Sequence, residues 1–197
     1  MIKEHRITIC ALITGTNAVG KSSVAKEIIS RFGGISNEND SVTYLRDGGV
    51  CLAGRYVTRI YGGVDSLVDS RGRSCTSVLA DVVQRGLQNA DVIICEGSRV
   101  NTFGMNVLNA LFKAKRQIVL NLYADKKTLF KRLVERSGAC QKRNFGAILK
   151  GQRASMLAAR KFQSVGVPVL QYNTAEYTAA QIADALLNKI EEIKEKK

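Results

Sequence analysis

The chain has 197 residues, 45% of them hydrophobic, which suits one sizeable core and is too little for two comfortable domains. Its 30 Lys and Arg against 17 Asp and Glu leave a net charge of +13, an excess that a polyanionic partner such as DNA would use and a small neutral metabolite would not. Five scattered cysteines with no C-x-x-C pair exclude a disulfide framework, and no apolar run is long enough for a membrane-spanning helix.

The opening residues Met1-Ile2-Lys3-Glu4-His5-Arg6 lack a signal-peptide profile, so a cytoplasmic protein is expected. Ile7-Thr8-Ile9-Cys10-Ala11-Leu12-Ile13 then predicts a buried strand, and Val24, Ile28, Ile29 and Phe32 predict a helix over 22–32. Between them, Gly15-Thr16-Asn17-Ala18-Val19-Gly20-Lys21-Ser22 fits G-x-x-x-x-G-K-[ST] at every required position. Strand, phosphate-binding loop and helix therefore occur in the required order. In such a loop the backbone N–H groups of Gly15, Asn17, Ala18, Val19 and Gly20 turn inward on a nucleotide's phosphates, with Ser23 at the helix start beside them. Lys21 reaches the β- and γ-phosphates, and the Ser22 hydroxyl ligates Mg²⁺. ATP and Mg²⁺ are the expected cofactors.

After Gly33-Gly34, the polar stretch Ser36-Asn37-Glu38-Asn39-Asp40 reads as a surface loop. Val42-Thr43-Tyr44-Leu45 and Val50-Cys51-Leu52-Ala53 flank Arg46-Asp47-Gly48-Gly49 and read as a hairpin. Residues 54–67 are rich in glycine, arginine and tyrosine and look like a site. Arg55 and Arg59 are candidates to hold phosphates, and Tyr56 and Tyr61 to stack on a base. A basic turn, Asp69-Ser70-Arg71-Gly72-Arg73-Ser74, precedes a helix over 76–88. Val92-Ile93-Ile94-Cys95-Glu96 reads as a second buried strand, and it ends in an acid. A carboxylate at that position binds Mg²⁺ or its water, or takes a proton from an acceptor hydroxyl. Arg99 follows in the same crevice at the strand ends.

Helical spacing returns over 103–115, a strand over 117–123, and a helix over 126–136 with Leu129, Phe130 and Leu133 on one side. The run from Leu122 to Arg136 resembles the strand-to-lid element of nucleoside and nucleotide kinases of the P-loop class. That resemblance implies that Arg132 and Arg136, matching R-x-x-x-R, flank a mobile lid at roughly 137–146 and touch the transferring phosphates. No acidic residue lies between Glu135 and Glu176, yet Arg136, Lys142, Arg143, Lys150, Arg153, Arg160 and Lys161 do. An ATP lid needs two or three of these. The rest can track a nucleic-acid backbone along a helix over 145–164. Val167-Pro168-Val169-Leu170 reads as the last strand, and Thr178-Ala179-Ala180-Gln181 has the capping-box form before a final amphipathic helix.

Strands alternating with helices imply a mainly parallel α/β sheet covered on both faces. The resemblance to P-loop kinases spans nearly the whole chain and implies a single domain with a five-stranded, three-layer core and ligands at the carboxyl ends of the strands. An alcohol acceptor must lose a proton, and His5 is badly placed for that. Glu96 and Asp65 are the candidate carboxylates, with base and metal roles open between them. Gly54-Arg55-Tyr56 followed by Gly62-Gly63-Val64-Asp65 resembles a pattern of tailed-phage kinases, some of which phosphorylate 5-hydroxymethyluracil in DNA. The implied activity is a DNA-base kinase; the competing one is a small-molecule nucleoside or nucleoside monophosphate kinase.

Overall fold

In a computed structural model of the chain, residues 6–39, 41–57, 62–67, 75–137 and 145–196 are described. The first half contains β1 (Ile9–Thr14), α1 (Lys21–Arg31), β2 (Ile35–Asn39), β3 (Val42–Leu45), β4 (Val50–Ala53) and α2 (Cys75–Asn89). The second half contains β5 (Val92–Glu96), α3 (Met105–Leu111), β6 (Arg116–Tyr123), α4 (Lys126–Ser137), α5 (Phe145–Ser164), β7 (Val169–Asn173) and α6 (Ala179–Glu195).

All six residues of β1 are buried, so the strand needs neighbours on both edges and cover on both faces. Its edges pair in parallel with β5 and β6. Strand alternation divides its side chains between two cores. Ile9, Ala11 and Ile13 pack with Val24 and Ile28 of α1 and with Ile182 and Leu186 of α6. Cys10 and Leu12 pack on the other face with Leu79 and Val83 of α2, Leu111 of α3 and Phe162 of α5. Helices thus cover both faces.

The sheet order is β2-β3-β4-β5-β1-β6-β7, which corrects the expected five strands to seven. Five strands, β4, β5, β1, β6 and β7, are parallel to one another. The extra two come from the 35–45 segment, where β2 and β3 add antiparallel to β4. The hairpin of β3 and β4 was legible. β2 was not, because Ile-Ser-Asn-Glu-Asn is a largely exposed edge strand with little β-propensity, held by backbone pairing to β3. Glu38 gives it a second function. Its Oε2 accepts from the backbone N–H groups of Tyr56 and Val57 at 2.6 and 2.9 Å, bracing the segment that follows β4.

Other boundaries moved less. The helix expected over 103–115 is confined to Met105–Leu111, because Gly104 is extended and Phe103 packs edge-on against Phe162 at 5.0 Å between centroids. α5 spans 145–164 as read, and α6 begins with the anticipated capping box, Thr178 with Gln181. Asp40, Arg59 and Tyr61, and most of the expected lid with Lys142 and Arg143, lie outside the described residues. No helix among the described residues is long and apolar enough to cross a membrane.

Candidate active site

The carboxyl ends of β1 and β5 lie side by side, with Ile13 paired to Glu96, so the loops that leave them share one crevice. The crevice opens into a cleft of about 1520 Å³. It is lined by the phosphate-binding loop and the start of α1, by Asp65, Glu96 and Arg99, by Arg132 and Arg136 of α4, and by the 174–178 segment after β7. Asn17, Ala18, Val19, Gly20, Lys21, Ser22 and Ser23 all lie on its wall, whereas Gly15, expected to turn its N–H on the phosphates, does not and donates that N–H to Asn101. Gly20 takes a left-handed conformation, φ +99°, immediately before α1, and its carbonyl accepts from Ser23 and Val24. That turn aims the amino end of α1 into the cleft, where unpaired N–H groups and the helix dipole favour an anion.

Lys21 is buried and donates from Nζ to the carbonyls of Gly15 and Thr16 at 2.8 and 2.9 Å. Burial pulls its pKa down, opposed by the nearby charges of Glu96 and Asp65; Arg136 adds to the lowering. Glu96 is 2% exposed. Its Oε1 accepts from Ser22 Oγ at 3.4 Å and from the Tyr56 hydroxyl at 3.3 Å. Burial pushes its carboxyl above the ordinary range, opposed by Lys21 and reinforced by Asp65. Ser22 and Glu96 together present hard oxygen donors of the kind Mg²⁺ takes, next to the phosphate-binding turn.

The segment read as a substrate site frames Glu96. A side chain on Gly63, φ +74°, would fall 2.3 Å from the Glu96 carbonyl and 2.5 Å from its Oε1. A side chain on Gly54, φ +112°, would fall 2.1 Å from the Gly63 carbonyl. Only glycine permits these approaches. They put Tyr56 and Asp65 beside the β5 terminus. Tyr56, expected to stack on a base, has its ring against Gly62 and its hydroxyl on Glu96. Asp65 accepts from the backbone N–H and hydroxyl of Ser98 at 2.9 and 3.1 Å and from Arg99 N–H at 3.3 Å, so it shapes the loop that carries Arg99. Arg55 and Tyr56 are not among the residues lining the cleft, and the Arg55 backbone N–H donates to Ser66.

The two arginines of α4 divide. Arg132 donates to Thr174 Oγ1 and its carbonyl at 2.7 and 2.6 Å, at the rim of the 174–178 segment. Arg136 lines the cleft and is close enough to Lys21 to depress its pKa.

Two site residues, Asn101 and Gln152, escaped the sequence reading, and Thr16 reads there only as a variable position of the loop. Asn101 holds Gly15 through two hydrogen bonds, Thr16 Oγ1 donates to the Ile148 carbonyl of α5 at 2.7 Å, and Gln152 of α5 brackets the backbone of Ala124 at the end of β6. Each is a lone polar residue joining parts distant in sequence, and no local pattern marks such a bond.

No protein-family model matches the chain, and no curated protein sequence matches it. Solved structures do. YorR from Bacillus subtilis, solved in complex with phosphorylated GDP, is 15% identical with a TM-score of 0.55, covering 92% of this chain and 95% of its own. A sugar kinase from Janibacter sp. HTCC2649 is 13% identical with a TM-score of 0.55 over 93% and 95%. Shikimate kinase from Acinetobacter baumannii, in complex with shikimate, is 14% identical with a TM-score of 0.51 over 96% of both chains. These likenesses establish the α/β fold of P-loop kinases.

Proposed function

We propose that the protein is an ATP-dependent phosphotransferase that moves the γ-phosphoryl group to a hydroxyl carried on a modified base in DNA, with 5-hydroxymethyluracil as the leading acceptor. The carrying observation is that Lys21, Ser22 and the buried Glu96 converge at the ends of β1 and β5, inside the cleft. Phosphoryl transfer needs positioned charge more than covalent chemistry, and these residues supply it.

In this reading the loop N–H groups and the α1 terminus bind the phosphates, and Lys21 exchanges its carbonyl partners for β- and γ-oxygens. Arg136 faces the same phosphates, and Arg132, fixed at Thr174, lines the cleft beside it. Ser22 would hold Mg²⁺ directly and Glu96 through one of its waters, and the ion would supply charge neutralisation across the phosphates when bound. Asp65 is engaged with Ser98 and Arg99, which favours Glu96 over it as the proton acceptor. Its Oε1 faces Ser22 and Tyr56, and Oε2 receives the proton of the attacking hydroxyl.

Three features support DNA as the carrier of that hydroxyl: the net charge of +13, the Gly54-Arg55-Tyr56 and Gly62-Gly63-Val64-Asp65 pattern, and the outer face of α5. On that helix Lys150, Arg153, Leu157, Arg160 and Lys161 are exposed, while Ala147, Gly151 and Ala154 line the cleft beside them. A phosphate backbone lying along this face would run past the cleft mouth. The deciding experiment offers γ-labelled ATP with ordinary DNA, 5-hydroxymethyluracil DNA, and the free nucleoside and nucleotide. Label in the modified DNA is expected. Label only in the free monomers would assign a small-molecule nucleoside or nucleotide kinase instead.

A further inference from the structure

We infer that Asn101 is a positioning residue for Lys21, holding the first residue of the phosphate-binding loop so that the lysine is free to leave it. Asn101 is 7% exposed and belongs to the loop that leaves β5 after Glu96. Its amide forms a reciprocal pair with a single backbone unit. Oδ1 accepts from Gly15 N–H at 2.8 Å, and Nδ2 donates to the Gly15 carbonyl at 2.6 Å. The same carbonyl also accepts from Lys21 Nζ at 2.8 Å.

The sharing has a consequence for nucleotide binding. Lys21 must give up the carbonyls of Gly15 and Thr16 to reach β- and γ-phosphate oxygens. Thr16, though only 3% exposed, lines the cleft. Gly15 does not line the cleft. A side chain on it, at φ +136°, would meet the Leu122 carbonyl at 2.6 Å, so β6 closes it off from that side. A buried carbonyl stripped of its donor is costly, and Asn101 is the donor that stays. Asn101 also lines the cleft, and through the Gly15 carbonyl it lowers the cost of the lysine's exchange. The loop carrying Asn101 is anchored at its other end by Asp65 on Ser98 and Arg99, so the amide is fixed from both sides.

This inference rests on the nucleotide reading of the loop, and its test separates the two. Binding of ATP, ADP and AMP is measured by titration calorimetry for the native chain, Asn101→Leu and Asn101→Ala, with thermal unfolding of each. The native chain failing to bind ATP would remove the nucleotide reading itself. With that binding present, folded variants should lose about tenfold in affinity for ATP and ADP. AMP has no β-phosphate for Lys21 to reach and should bind as it does to the native chain. Equal weakening of all three nucleotides, or of none, would overturn the positioning role. A second measurement needs no variant: the Asn101 side-chain amide proton that Nδ2 donates to Gly15 should stay protected from exchange in the native chain when ATP is added, and loss of that protection would equally overturn it.

Discussion

The two walls of the cleft carry their charges in opposite ways. On the β1–β5 wall, Lys21 and Glu96 are buried, each held by hydrogen bonds and each with its pKa displaced toward the neutral form by burial. On the α5 side, Lys150, Arg153, Arg160 and Lys161 stand exposed on the solvent face of the helix. A buried charge is expensive, so its place in a fold is justified by local chemistry. An exposed cation costs little and acts over about a Debye length, so its effect is on encounter and docking. The first wall should therefore fail all at once when one residue changes, and the second by degrees.

The largest effects are expected where the charge is buried. Glu96→Gln should lower turnover on the order of 10²–10⁴-fold if Glu96 receives the acceptor proton, while ATP affinity changes far less. Steady-state turnover set beside ATP titration makes that comparison, and an unchanged rate would take Glu96 out of the chemistry. Lys21→Ala should cost on the order of 10²–10³-fold in transfer through lost charge at the phosphates. Its two bonds to loop carbonyls are local, so unfolding should still be cooperative. Normal transfer by that folded variant would remove the phosphate-binding role of the loop.

The second wall gives a graded result. Charge reversal of Lys150 and Arg153 together should weaken binding to DNA and reduce the slope of log affinity against log salt by about 2, roughly one unit for each phosphate that is no longer neutralised. Neither residue lines the cleft, so ATP affinity should move much less. Equal DNA affinity across salt concentrations would mean that the basic face of α5 is solvated surface and nothing more.

The same contrast explains what the sequence made legible. The phosphate-binding loop could be read residue by residue because backbone geometry and phosphate chemistry leave little freedom at Gly15, Gly20, Lys21 and Ser22. Glu96 could be read because a buried strand rarely ends in an acid without reason. The span of α5 is read together with its run of cations, and those cations stand on its exposed face and leave its buried face to Ile148, Ala158 and Phe162. β2 escaped, since an edge strand such as Ile35–Asn39 needs only backbone pairing and its side chains carry no alternation. Asn101 escaped for a related reason: its partner is the backbone of Gly15, 86 positions away. The segment from Gly54 to Asp65 reads as a substrate site, with Arg55 on phosphate and Tyr56 on a base, and its described residues instead frame Glu96. Its glycines are restricted by their approach to Glu96 and to each other. In that packing the Tyr56 hydroxyl ends up on Glu96.

That last bond allows the smallest prediction to be the most discriminating about the framing segment. The Tyr56 hydroxyl donates to Glu96 Oε1 at 3.3 Å, and Ser22 Oγ donates to the same oxygen at 3.4 Å. Burial, followed by the charge of Glu96, raises the Tyr56 pKa well above its ordinary value, so it remains a donor throughout the physiological range. Tyr56→Phe removes that donor and keeps the ring against Gly62. One hydrogen bond to a carboxylate is worth about 1.5–3 kcal/mol, but Ser22 remains, so a loss of about three- to tenfold in turnover is expected with ATP affinity nearly unchanged. Tyr56→Leu should do no worse in turnover if the ring is only packing, and considerably worse in acceptor affinity if the ring supports an extruded base. Measuring turnover and acceptor affinity for both variants therefore separates a tyrosine that orients Glu96 from one that reads the acceptor.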